Sequence, residues 1–389
     1  ADLYQVVSLL EKIESEDLVM HILIAPDSFK ESLSAQSVAE AIKAGFSKAL
    51  PEATFDLLPI GDGGEGTVAA LAASMKLSEY ERTITGPFGE PVTMKYARKG
   101  DIALFEMADL VGLANIPLEK RNPLTLDTRG LGELILYLAK EGVRQIYIGV
   151  GGSATNDGGI GMAAGLGYEF FDKDNHLLQA KGSSLDRVAR ISADKVPAIL
   201  GNLDIQILTD VMNPLCGENG ATYVFGGQKG LPDLLFSQVD QAMATFYKQT
   251  NPTIFSLAGA GAGGGMAAGL VTFAHGKIVS GIDTCLNLLD FDNRVKKADL
   301  VIVGEGRMDQ QSLSGKAPIG VARRTPINIP VIAICGSLRN DLPDFPVENI
   351  QAAFPIISQV EPLVITLDRA EENLVRTAQN IGNLLRMKI

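Results

Sequence analysis

The sequence predicts an α/β protein of two α/β domains with a cleft between them: one Rossmann-like with a parallel sheet, the other a more irregular mixed-sheet domain inserted into it. Two patterns carry that expectation. A short apolar run that ends in a glycine-rich loop and is followed by a helix recurs along the chain, the unit from which parallel sheets are built. Between about Tyr80 and Phe105 the pattern changes to short β-like runs separated by Gly and Pro turns, as in Gly86-Pro-Phe-Gly89 and Gly100-Asp101, which reads as antiparallel structure. With 389 residues, 46% of them hydrophobic, the chain is long enough to bury two cores. The expected ranges are an N-terminal extension at 1–19, a Rossmann-like domain of 20–85 plus 290–389, and an inserted domain of 86–289.

The elements follow in order. His21-Ile-Leu-Ile-Ala25 reads as a buried strand that stops at Pro26, and the polar loop Asp27-Ser-Phe-Lys-Glu-Ser-Leu33 leads to Ser34, a good N-cap for the helix that follows. A second strand at Thr54–Leu58 runs into Gly61-Asp-Gly-Gly-Glu-Gly-Thr67 and a helix to about Ser74. Later strands are expected at Gln145–Val150, Ile205–Thr209, Leu300–Val303 and Val331–Cys335, each opening into a loop of Gly or Asp. Asp283 is read as a helix N-cap. Before the first strand, Leu3, Val6, Val7, Leu10 and Ile13 have the spacing of a short amphipathic helix. Because the chain opens on Ala1 and Met20 directly precedes the first strand, Met20 is expected to be the natural start.

Composition excludes several functions. Lys+Arg total 34 against 46 Asp+Glu, a formal charge of −12, and no basic stripe is available to track nucleic acid. Cys216, Cys285 and Cys335 are far apart and form no Cys-x-x-Cys pair, and the chain has only three His, which argues against zinc and against a disulfide framework. Such thiols are expected to be small buried apolar groups in a reducing, cytoplasmic compartment. No apolar stretch is long enough for a membrane span, and the acidic residues after Leu10 suit no secretory leader. A homo-oligomer is compatible with this composition.

Glycine supplies 41 residues and is concentrated in loops after strands, where open α/β sheets hold ligands. In Gly149-Val-Gly-Gly-Ser-Ala-Thr-Asn-Asp-Gly-Gly-Ile-Gly-Met162 the glycines let backbone N–H groups approach an anion, and Ser153, Thr155 and Asn156 add short donors beside the Asp157 carboxylate. The dinucleotide spacing Gly149-x-Gly151-x-x-Ala154 is present but lacks a well-placed acidic partner. Asp62 and Glu65 stand three residues apart among glycines, suited to a cation, a proton or hydroxyl groups. Gly304-Glu-Gly-Arg-Met-Asp-Gln-Gln-Ser312 and the following Gly315-Lys316 gather Glu305, Arg307, Asp309 and Lys316 in one loop without the Walker pattern. Asp210 and Asn213 occupy the loop after another strand. The glycine run Ala258-Gly-Ala-Gly-Ala-Gly-Gly-Gly-Met266 reads equally as a phosphate cradle or as close helix packing.

Taken together and in order, Ala25-Pro-Asp-Ser-Phe-Lys-Glu-Ser-Leu33, Asp62-Gly-Gly-Glu-Gly-Thr67, Gly151-Gly-Ser-Ala-Thr-Asn-Asp-Gly-Gly159, Thr209-Asp-Val-Met-Asn-Pro-Leu215 and Gly304–Ser312 resemble the bacterial glycerate kinase family, type 1, found in glycerate and sugar-acid catabolism. The resemblance runs from Met20 to the C-terminal helix and implies ATP-dependent phosphorylation of D-glycerate with Mg²⁺. Phosphoryl transfer needs position and charge neutralisation. Lys30, with Ser28, and Arg307 are therefore expected to neutralise the glycerate carboxylate or the moving phosphoryl group, with Asp27, Glu65, Asn213 and Lys316 at the substrate. Gly151, Gly152, Ser153, Thr155, Asn156 and Asp157 are expected to receive the nucleotide phosphates. Asp62 and Asp210 are the candidates to orient or deprotonate the hydroxyl, with Asp210 and Asp309 favoured for Mg²⁺. Product is expected to be 2-phosphoglycerate rather than 3-phosphoglycerate. Two rivals are a 2-hydroxy-acid dehydrogenase, for which the His positions offer no proton-transferring group, and a non-catalytic sugar-acid sensor, which has no need of so many loop carboxylates.

Overall fold

The computed structural model describes residues 19–61, 66–310, 312–314 and 316–387, so the helix expected within residues 1–19 lies outside the described residues. The chain divides into two compact units. One joins the described residues of Ala1–Asp62, Ala69–Met75 and Ile282–Ile389, and the other those of Gly63–Val68 and Lys76–Gly281.

The first unit opens with β1 (His21–Pro26), a helix over Ala35–Ala49 and β2 (Thr54–Leu57). Ser34 caps that helix by accepting the Ser37 N–H at 3.1 Å. The second unit follows with β3 (Ser78–Thr85), β4 (Pro91–Lys99), β5 (Ile102–Glu106), β6 (Gln145–Gly149), β7 (Glu169–Phe171), β8 (Arg190–Ser192), β9 (Asp204–Leu208) and β10 (Lys277–Val279). The chain then returns to the first unit with β11 (Leu300–Gly304), β12 (Arg307–Met308), β13 (Val331–Cys335), β14 (Ser337–Leu338) and β15 (Ile350–Pro355).

Among the described residues the first unit is built on a parallel sheet of order β15-β13-β11-β1-β2. Its central strands β1 and β11 are buried on both faces, which is why they read as largely unbroken aliphatic runs rather than as an alternation. Val38, Ile42 and Phe46 recur at helical spacing on Ala35–Ala49 and pack with Leu374, Ala378 and Ile381 of the helix Ala370–Leu385. Each such side chain, fully buried, contributes about 1.5–3 kcal/mol. The two helices meet at Gly45, where a Cβ would lie 2.3 Å from the Val375 carbonyl oxygen.

The second unit carries a mixed sheet of order β10-β9-β6-β5-β4-β3. β10, β9, β6 and β5 pair in parallel, whereas β5-β4 and β4-β3 are antiparallel, the source of the hairpin-like pattern between Tyr80 and Phe105. Phe105, Ile146, Ile148, Ile205 and Ile207 of this sheet share a core with Leu131, Leu134, Ile135 and Leu138 of the helix Arg129–Lys140.

Candidate active site

In the first unit β2 lies to one side of β1 and β11, β13, β15 to the other, so the strand order reverses between β1 and β11. Loops at the carboxyl ends of strands diverge at such a point and leave a crevice. There the structure has a cavity of about 490 Å³ lined from the ends of β1, β11, β13 and β15. Asp27, Ser28 and Lys30 come from the first of these loops, Glu305, Arg307 and Lys316 from the second, and Ser337 from the third. The loops are held together by backbone hydrogen bonds: Asp27 N–H donates to the Gly304 carbonyl at 2.8 Å, and Ser337 N–H to the Gly306 carbonyl at 3.1 Å. After Asp27 the chain turns sharply through Glu31, at a left-handed φ of 65°, and the Ser32 hydroxyl donates to the Leu367 carbonyl at 2.7 Å. Lys30 is exposed on this turn.

Gly304 and Gly336 in these loops leave no room for a side chain. A Cβ on Gly336 would stand 2.2 Å from the Gly306 carbonyl oxygen, next to Arg307. Gly336→Ala should therefore push the Arg307 strand aside and lower stability by roughly 1–3 kcal/mol, with a loss of activity; urea unfolding and steady-state assays measure the two effects.

The second unit also presents loops at one sheet edge, because Glu106, Gly149 and Leu208 are register partners at the ends of β5, β6 and β9. The loop after β6 folds inward. Asp157 is fully buried, and its carboxylate accepts the Thr128 hydroxyl at 2.7 Å and the Gly159 N–H at 2.9 Å. Asn156 donates to the Thr222 hydroxyl at 2.9 Å. Lys229, also buried, donates to the Ser153 hydroxyl oxygen at 2.9 Å and to the Thr155 carbonyl at 2.8 Å. Burial pulls the Lys229 ammonium down to about 7, an effect the nearby Asp157 carboxylate partly opposes. The same burial raises Asp157 above the usual carboxylate range despite its hydrogen bonds.

The family profile described as "Glycerate kinase family" matches residues 22–386. A glycerate kinase of Neisseria meningitidis serogroup B is 58% identical, over 95% of this chain and 99% of its own length. The chain belongs to the glycerate kinase family. Another similar protein, a "Glycerate 2-kinase" of Escherichia coli strain K12, is 40% identical over 94% of this chain and 98% of its own. A crystal structure described as "putative glycerate kinase 2 from Salmonella typhimurium LT2" superposes with a TM-score of 0.83 at 38% identity, covering 95% of this chain and 99% of that one. The chain is accordingly a kinase, a phosphotransferase with an alcohol group as acceptor. These relatives lend no support to a dehydrogenase or a sensor.

In this glycerate kinase family member, the candidates from the sequence fall into separate groups. Asp27, Ser28, Lys30, Arg307 and Lys316 share the cavity of the first unit. Asp309 is nearly buried beside it, with Oδ2 3.5 Å from Arg307 Nε and Oδ1 accepting the Ser312 N–H at 3.2 Å. Asp62 and Glu65 lie outside the described residues. In the second unit Gly151 and Gly152 are accessible, whereas Ser153, Thr155, Asn156 and Asp157 are buried. Asp210 follows β9 half-buried, with Oδ1 accepting the Gly281 N–H at 3.0 Å. Asn213 donates to the Asn219 carbonyl within its own loop at 2.8 Å.

Two expectations are changed by packing. Asp283 sits in the first turn of the helix Gly281–Leu288, inside the expected N-cap position, and Asp210, from the loop after β9, accepts the Gly281 N–H at that end. The glycine run before Met266 serves close packing, since a Cβ on Gly264 would stand 2.0 Å from the Thr155 carbonyl oxygen and one on Gly265 2.8 Å from Gly158 Cα.

Two residues escaped the sequence reading. Lys229, which braces the Gly151–Asp157 loop, is one of many lysines and lies 76 residues from Ser153. Glu106 ends an apolar strand with no loop signal, yet its buried carboxylate accepts the Gly66 N–H at 3.0 Å and the Val68 N–H at 2.9 Å at the start of the helix Thr67–Met75. Cys285 and Cys335 are buried and Cys216 partly so, and burial raises both Cys216 and Cys335, which leaves these two poor nucleophiles.

A magnesium ion that travels with a nucleotide keeps several waters and takes one or two protein carboxylates, not a full cage. Among the described residues the one cluster of three metal-compatible side chains is Asp172, Asp174 and His176, on an exposed turn. Asp309, engaged by Arg307 and Ser312, and Asp210, engaged by the Gly281 N–H and half-buried after a strand, are both hard oxygen donors that suit this smaller demand.

Proposed function

We propose that the chain catalyses transfer of the γ-phosphoryl group of ATP to D-glycerate, giving 2-phosphoglycerate and ADP, as part of glycerate and sugar-acid catabolism in the cytoplasm. The observation that carries this reading is the convergence of Lys30, Arg307 and Lys316 with Ser28 and Ser337 in one cavity at the strand-order reversal. An acidic protein that receives two anionic substrates needs cations at the site, and this cavity presents three of them beside the carboxylates of Asp27, Glu31 and Glu305. The 2-position is supported by the name of the Escherichia coli relative. Three cysteines far apart in the sequence suit a reducing compartment.

In this reading Ser28 and Lys316 take the glycerate carboxylate, while Lys30 and Arg307 neutralise charge on the phosphoryl group as it moves. The glycerate hydroxyl oxygen forms the new bond to phosphorus, the bond to the ADP oxygen breaks, and Asp62 accepts the hydroxyl proton. Gly151 and Gly152 offer backbone N–H groups to phosphate oxygens. Asp210 would hold Mg²⁺, which when bound offsets phosphate charge.

Incubation of the protein with D-glycerate, Mg²⁺ and ATP, followed by ³¹P NMR of the product, is expected to give the resonance of 2-phosphoglycerate. The 3-phosphoglycerate resonance would sink the regiochemistry alone, and unchanged ATP would sink the assignment of substrate.

A further inference from the structure

The cavity of the first unit is larger than glycerate needs, and part of its lining is apolar. A three-carbon hydroxy acid has polar groups on every carbon and fills a small part of about 490 Å³. Besides its charged residues, the cavity is lined by the apolar side chains of Ile356, Ile357, Leu363 and Leu367. Ile357 is 45% exposed and Leu363 68% exposed, and the helix Leu363–Asp368 buries none of its residues. Apolar side chains left in water at the rim of a concave site that also holds a few charged groups are the usual signature of a ligand with one flat apolar part and one anionic part. The wall and the cationic turn belong to one frame, since Ser32 Oγ, two residues from Lys30, donates to the Leu367 carbonyl at 2.7 Å.

We infer that the Ile357–Leu363 wall seats the purine base of the nucleotide, with its phosphates directed toward Lys30 and Arg307. The inference rests on the proposed use of ATP and adds where the base binds. Aliphatic side chains cover the faces of the ring, and the ribose bridges the cavity to the cations. Such a wall gives affinity by desolvation and contributes little discrimination among planar bases, so guanine nucleotides are expected to bind as well.

The test uses the full chain and two neutral substitutions at exposed positions, Ile357→Asn and Leu363→Asn, titrated calorimetrically with ADP and with inorganic pyrophosphate. Each variant should lose about tenfold or more in ADP affinity, some 1.4 kcal/mol, while pyrophosphate affinity and the thermal midpoint stay those of the parent protein. Unchanged ADP affinity, an equal loss for pyrophosphate, or a parent protein that does not bind ADP would overturn the inference. A protein that loses ADP affinity in both variants yet never phosphorylates D-glycerate keeps the base seat and loses the proposed acceptor.

Discussion

Lys30→Met is expected to lower kcat by about 10²–10³-fold, the usual cost of removing one preorganised charge from a transition state, without lowering the urea midpoint. Lys30 is exposed on a turn whose shape is set by Glu31 and by the bond from Ser32 to Leu367, neither of which needs the ammonium group. Its removal therefore leaves the fold in place and takes a cation from the cavity shared with Arg307 and Lys316. Steady-state kinetics separate the possible roles. A fall in kcat and kcat/KM together places the charge on the moving phosphoryl group, whereas a raised KM for glycerate at constant kcat makes Lys30 a ground-state partner of the carboxylate. Near-parental values of both would remove Lys30 from the mechanism.

Lys229→Met tests a different layer. The ammonium braces Ser153 and the Thr155 carbonyl from inside the second unit, and without it the carbonyl loses its donor at a cost of about 1–3 kcal/mol. A loop displaced by about 1 Å can cost on the order of 10²-fold in rate, and that is the expected loss in kcat/KM. The pH dependence gives a second readout. Burial lowers the folded-state value of Lys229 from 10.5 to about 7, so between these values the unfolded chain holds a proton that the folded chain has released. Stability of the parent protein should accordingly gain from this group as pH rises from about 7 toward 10.5, with the full penalty present below about 7. Lys229→Met lacks this contribution, so urea unfolding of both proteins at neutral and alkaline pH should show the parent gaining on the variant. Parallel pH profiles would mean that Lys229 stays charged in the fold.

Much of the architecture was legible because it depends on local chemistry. Ser34 caps a helix through a residue three positions away, and doubly buried strands such as Leu300–Gly304 announce themselves by unbroken aliphatic runs. The cavity residues Asp27, Ser28, Lys30, Arg307 and Lys316 were readable as loop residues of chemical character after strands, and the strand order explains why two such loops meet. Side-chain direction was not legible. Ser153, Thr155, Asn156 and Asp157 look like ligand donors in a glycine-rich loop, yet all four are buried: Lys229, Thr222 and Thr128 from distant parts of the chain engage Ser153, the Asn156 amide nitrogen and Asp157, while Thr155 Oγ1 and Asn156 Oδ1 make no hydrogen bond among the described residues.

The sequence by itself determined the α/β class, the change from parallel to antiparallel pairing near Tyr80, the family and the set of loops that carry polar chemistry. Only the tertiary structure decided which of those loops share a cavity, which donors face inward, that Glu106 and Lys229 hold loops far from them in sequence, and that Ile and Leu side chains line the same cavity as the cations. The reason is physical. Capping, strand burial and turn formation are set by residues a few positions apart, whereas the partner of a buried polar group is whichever side chain packing brings near, and packing depends on the whole fold.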